Sequence, residues 1–190
     1  MTHLVEHYGL LFLFGVIALE SAGVWVPGET ALVASGVLAA RGHLEIELVI
    51  VVAALAAILG DNVGYWIGRT GGRRLAMRFP WLARFLPPSE KFFKRHGGKA
   101  VFFARFLAGL RVTGAWMAGI SHMPWWRFLA WNAAGGVVWA TGIGLVAYFF
   151  GKAAGDAISK YGLIGGAVAA LVGIGGLVGV HVWRRRAEMG

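Results

Sequence analysis

Five charged residues lie inside otherwise apolar sequence: Glu20, Glu29, Asp61, Arg105 and Arg111. Each costs about 2.5–3.5 kcal/mol at the centre of a bilayer-embedded helix, so the set must be paired, hydrated or both. Two guanidiniums suit a phosphate, because each planar fork binds oxygens bidentately and keeps its charge at any relevant pH. Three carboxylates against two guanidiniums leave one acid in excess, a candidate carrier of a coupling proton. We therefore assign Arg105 and Arg111 to phosphate binding, and Glu20, Glu29 and Asp61 to charge pairing and proton coupling. No catalytic residue is assigned. The competing interpretation is a set of buried salt bridges that only fixes the fold.

Glu20 and Glu29, nine residues apart, fall on opposite faces of an unbroken helix, and Arg105 and Arg111, six apart, are separated by about 240°. Either pair converges only across a break. The sequence supplies one in each case: Gly23 with Pro27-Gly28 in the first and Gly109 in the second. Broken backbone at membrane depth is tolerated where it lines a cavity, so charges and breaks point to the same place.

The elements that carry these residues are membrane helices. Of 190 residues, 58% are apolar and 14% charged, with a mean hydropathy of +0.67. The 30 glycines and nine tryptophans fit packed transmembrane helices with interfacial aromatics. No alternating strands of barrel type are found. Zero cysteines exclude a disulfide framework, a thiolate metal site and a cysteine nucleophile. The net charge of +9 is local: residues 69–99 hold nine basic side chains against Glu90 alone. Phe79, Trp81, Phe85, Phe92 and Phe93 interleave with them, which predicts an amphipathic cytoplasmic loop on anionic lipid headgroups rather than a nucleic-acid surface.

Only 46–68 and 163–183 have the length of a simple span. The stretch 8–40 is interrupted at Pro27-Gly28, and its second half is too short to cross. Parity settles the stretch that begins at Ala100. If 100–123 crossed fully, the later helices 124–150 and 163–183 would deliver Arg184-Arg185-Arg186 outside, against the positive-inside rule. If 100–123 dips and returns, the basic tail 184–190 ends in the cytoplasm. The expected fold is a single all-α membrane domain over 1–190, with re-entrant hairpins 8–40 and 100–123 entering from opposite faces and about three spanning helices. Such inverted repeats build midplane sites in transporters. A plain four- or five-helix membrane protein is the competing architecture.

Gly60, Gly64 and Gly68 recur once per turn on one face and predict close helix packing. Asn132, Gly135, Gly136 and Trp139 repeat that mixture and are read as packing too. His43 and His122 are read as boundary residues. His3 and His7 lack further ligands, so neither metal nor cofactor is assigned.

The residues resemble the DedA family, also described as SNARE-associated Golgi protein-like or VTT-domain membrane proteins, over about 8–150. The likeness rests on Glu20 with Pro27-Gly28-Glu29, Gly60-Asp61 through Tyr65, Gly68-Arg69, Phe103-Ala104-Arg105-Phe106 with Arg111, Met117-Ala118-Gly119, and Phe128 with Asn132. The family's usual pattern has prolines where this chain has Ala108 and Ala115; Gly109 and Gly114 supply helix breaking nearby. The resemblance implies lipid transport: bacterial members are proposed to return undecaprenyl phosphate to the cytoplasmic leaflet with proton-motive force implicated, and eukaryotic relatives are phospholipid scramblases. It places essential acids at Glu20 and Glu29 and essential arginines at Arg105 and Arg111. The expectation is a proton-coupled flippase of a polyprenyl phosphate in a bacterial inner membrane, with a cytoplasmic C-terminus and the capacity to form a homo-oligomer. A non-selective scramblase and an intramembrane lipid-modifying enzyme are the alternatives, the latter lacking a visible nucleophile or metal cluster.

Overall fold

The structure, a computed structural model, describes residues 2–24, 26–72, 91–93, 95–107 and 110–187; within these, the side chains of 2–6, 110, 112 and 157–187 are left aside. The described elements are all helices, without a strand: α1 (Thr2–Ala22), α2 (Gly28–Ala40), α3 (Ile46–Ile67) with a π-helical turn Gly68–Gly72, α4 (Gly98–Ala104), α5 (Leu110–Ile120) and α6 (Trp125–Ala187). Among the described residues two segments are long and apolar enough to cross a membrane, Ile46–Gly72 and Trp125–Asp156.

Local chemistry sets the breaks. Gly23 adopts φ +116° and closes α1, with its own N–H donating to the Glu20 carbonyl at 3.1 Å and that of Val24 to Leu19 at 3.0 Å. Pro27 then opens α2, its carbonyl accepting from the Ala31 N–H at 3.2 Å. The sequence predicts a break at Gly109, which lies outside the described residues; on its near side α4 stops at Ala104 and a turn carries Arg105, with the Leu107 N–H bonded to the Ala104 carbonyl at 3.2 Å. His122, at φ +53°, ends α5 as Gly23 ends α1, and Pro124 starts α6. Most of the basic stretch 69–99 also lies outside the described residues. Residues 151–162, where a connection between two spans is expected, are helical and continuous with α6.

α3 is the axis of the molecule and packs on α1, α2, α5 and α6. It runs antiparallel to α6: Gly144 faces Ile46 and Ile50, Gly136 faces Ile58, and Trp125 bonds Asn62. The predicted glycine face of α3 is used on two sides. Gly60 lies against Ala18 and Ser21 of α1, whereas Gly64 and Gly68 lie against Trp116 of α5. A side chain at Gly68 would meet the Trp116 backbone, so the approach depends on glycine.

Both interrupted stretches bring their ends together. Leu44 comes within 3.9 Å of the place a Cβ would occupy on Gly9, beside the start of α3. Gly97 and Pro124 line one cavity beside its other end. One apolar cluster joins Leu13, Ile17, Leu32, Val49, Ala57 and Trp139; a second joins Tyr65, Ala115, Ala118 and Phe128. Asp61 sits one turn past Ala57 and one turn before Tyr65, so the buried charges occupy the layer between the clusters.

Candidate functional site

Asp61, on the glycine-bearing half of α3, is buried with Arg105 from the turn after α4, and the two form an ion pair through the Arg105 Nη2. The same nitrogen donates to Asn132 Oδ1 at 2.7 Å. Asn132 Nδ2 in turn donates to the Ile58 carbonyl at 3.2 Å, which also accepts from Asn62 Nδ2 at 2.7 Å. Every polar partner of Arg105 is thus anchored on α3 or α6. A charge taken so far out of water is held only when it is paired and hydrogen-bonded.

Arg111, at the start of α5, is arranged differently. Its Nη2 pairs with Glu20 Oε1 at the end of α1, and its Nη1 donates to Glu29 Oε1 in the first turn of α2 at 2.7 Å. The break at Gly23–Pro27 does what the spacing argument requires, since it turns Glu20 and Glu29 onto one guanidinium. The two acids are not equivalent. The Glu20 side chain is 14% exposed and Arg111 12%, but Glu29 is 61% exposed. Glu20 Oε2 is buried without a hydrogen-bond partner among the described residues and rests against Gly28, where a larger residue would collide with it. Pro27 and Gly28 therefore act as a pair, one opening α2 and the other making room for the carboxylate.

The two arginines share no carboxylate. They meet over the indole of Trp139 on α6, the Arg111 Cζ at 5.1 Å and the Arg105 Cζ at 6.0 Å from the ring centroid. Cation–π attraction at a dry site lets one neutral ring hold both cations in one region. Asn132 and Trp139, read from the sequence as packing, are in contact with the charges. Their seven-residue spacing puts amide and indole on one helix face, and a buried amide on an apolar helix was the available signal. Trp116 is a further contributor the sequence does not single out: its Nε1 donates to the Ala22 carbonyl at 3.1 Å, tying the α1–α2 turn to α5.

A polar tie closes the far end of α3. The Tyr65 hydroxyl donates to the Met123 carbonyl at 2.5 Å, and Arg69 Nη1 donates to both Tyr65 Oη at 2.8 Å and Met123 O at 3.1 Å. Tyr65 stacks on Phe128 with centroids 4.6 Å apart.

The VTT domain model matches residues 26–149, a span that contains Glu29, Asp61, Arg105, Arg111, Asn132 and Trp139. The chain belongs to the DedA/VTT-domain family. Protein DedA of Escherichia coli is 32% identical over 162 residues, covering 80% of this chain and 74% of that protein. An uncharacterized membrane protein of Synechocystis is 42% identical over 158 residues, with 80% and 72% covered. One of Mycobacterium tuberculosis is 38% identical over 174 residues, with 86% and 79% covered. No solved structure matches the chain. The VTT-domain assignment agrees with the apolar exterior of α3, where Leu48, Val51, Leu55, Leu59, Val63 and Trp66 form an exposed stripe of the kind that faces lipid or another apolar surface. This VTT-domain chain is an all-helical membrane protein.

Proposed function

We propose that this protein moves a phosphate-bearing lipid between leaflets, returning a polyprenyl phosphate such as undecaprenyl phosphate to the cytoplasmic leaflet with proton coupling and without altering its chemistry. The observation that carries the reading is the Arg111 fork, held by one partly buried and one exposed carboxylate. A phosphate headgroup presents the same oxygen chemistry as Glu29 and takes its place on Nη1, while Glu20 keeps Arg111 oriented. Arg105, held on the same indole, is the second cation of the site. Because Asp61 matches Arg105 one to one, the excess acid resides in the Glu20–Glu29 pair, and we assign the coupling proton there.

In this reading, 8–40 and 100–123 are re-entrant hairpins of an inverted repeat. The meeting of Gly9 with Leu44 at one end of α3, and of Gly97 with Pro124 at the other, supports it. The protein sits in a bacterial inner membrane with the basic loop on anionic headgroups.

The test is reconstitution in vesicles containing labelled undecaprenyl phosphate beside labelled phosphatidylcholine, with and without a pH gradient. Gradient-dependent movement of the polyprenyl phosphate alone is expected. Equal movement of both lipids identifies a non-selective scramblase, and a chemically altered lipid identifies an enzyme.

A further inference from the structure

A cavity of about 180 Å³ opens where the α4–α5 segment begins and ends, lined by Phe93, Gly97, Ser121, His122, Met123, Pro124 and Arg127. It is separate from the charged layer: Arg69, whose side chain bonds the Met123 carbonyl at its wall, is eight residues beyond Asp61, about 12 Å along the helix. Its polar groups are unspent. Among the described residues Arg127 and His122 are exposed and have neither ion pair nor hydrogen bond from their side chains, and the buried Ser121 Oγ has no partner. Two backbone conformations favourable to glycine meet here, Gly97 at φ +56° and the non-glycine His122 at φ +53°. The second is uncommon for a side-chain-bearing residue and is held by the turn that ends α5. Arg127 lines the cavity and Arg69 bonds its wall, and Glu90 is the single acid in the sequence between Asp61 and Asp156. Trp125 and Trp126 begin the adjoining helix, and Trp126 is 73% exposed, the placement that marks headgroup level in a bilayer.

We propose that this cavity is a second binding site, for the phosphate monoester of an anionic lipid headgroup, with Arg127 supplying the fork, His122 and Ser121 the remaining donors, and Phe93 the apolar wall beside the first carbons of the lipid. It goes beyond the transport reading, since it holds a headgroup at the surface whether or not the central site moves one. At about 180 Å³ it has room for a bare phosphate ester.

Purified full-length protein in detergent, stripped of lipid, is titrated with phosphatidic acid, phosphatidylcholine and inorganic phosphate, and retained ligand is counted by native mass spectrometry. Phosphatidic acid is expected to bind, and Arg127→Gln and His122→Gln each to weaken it about tenfold, the effect of losing a charge-assisted donor. Both residues are exposed, so folding is expected to be unchanged, and an unaltered melting temperature verifies this. Arg111→Gln is run beside them. Binding reduced by Arg127→Gln and not by Arg111→Gln supports the cavity independently of transport. Binding reduced only by Arg111→Gln overturns the cavity while leaving the central site standing. Inorganic phosphate or phosphatidylcholine binding as tightly as phosphatidic acid overturns the lipid-monoester assignment.

Discussion

At the scale of single residues, the site divides into a closed pair and an open one. Asp61 and Arg105 are both buried, and removing the carboxylate leaves a guanidinium without its counter-charge, a change that costs about 3–5 kcal/mol. Asp61→Asn is therefore expected to lower the melting temperature in detergent, whereas Glu29→Gln, which neutralises a largely exposed carboxylate and leaves Glu20 on Arg111, changes stability by about 1 kcal/mol or less. Function is expected to run the other way: Glu20→Gln or Glu29→Gln retains lipid binding but loses the response of transport to a pH gradient. Gradient-dependent transport kept by both, and lost in a folded Asp61→Asn, would move the proton to Asp61. Arg111→Lys keeps the charge but cannot hold Glu20 and Glu29 through one planar fork. Transport is expected to fall at least about tenfold, the effect of one charge-assisted bond, with expression unchanged. The identity of the charged set was legible in the sequence because burial of each charge demands a partner. The pairing within it was not, since helical spacing predicts faces only along unbroken helix, and Glu20–Glu29 and Arg105–Arg111 each straddle a break.

At the scale of elements, the glycine face of α3 decides how close α5 can come. Gly68→Ala sets a methyl group against the Trp116 backbone and is expected to cost about 1–3 kcal/mol by overpacking. Gly71→Ala, with nothing near its missing side chain, is the control and should be neutral or slightly stabilising, again read by melting in detergent. The close-packing role of these glycines was legible from their four-residue recurrence. Trp116, the residue they accommodate, was not, because nothing in its own neighbourhood distinguishes it from an ordinary apolar position. The hairpin reading makes a separate prediction in this cysteine-free chain. Cysteines at Lys99 and Pro124, both exposed, should label from one side of sealed vesicles, and cysteines at Tyr8 and His43, also exposed, from the other. Lys99 and Pro124 labelling from opposite sides would refute the second hairpin. Gly98 is unsuited to this experiment because Trp131 fills the space beside it.

At the scale of the whole molecule, two apolar clusters sandwich a thin charged layer, and α3 crosses all three. The membrane class was legible from composition, and the positions of α3 and the first half of α6 from hydropathy. The unbroken course of α6 through 151–162 was not, because the glycines and lysines there read as a connection and helix continuity is decided by neighbours rather than by local sequence.

The charged layer has an electrical consequence. Arg105 with Asp61 is neutral, and Arg111 with Glu20 and Glu29 carries one negative charge in excess. One proton cancels that excess, and a phosphate monoester brings about −1.5 to −2 at neutral pH. A headgroup moving inward with a single proton thus remains anionic and does work against a negative-inside potential, about 2.3 kcal/mol for each net charge crossing 100 mV. Imposing such a voltage with a potassium gradient and valinomycin, at equal pH on both sides, is expected to slow inward movement and speed outward movement. A rate insensitive to voltage would mean that further protons accompany each lipid and that the cycle is electrically silent.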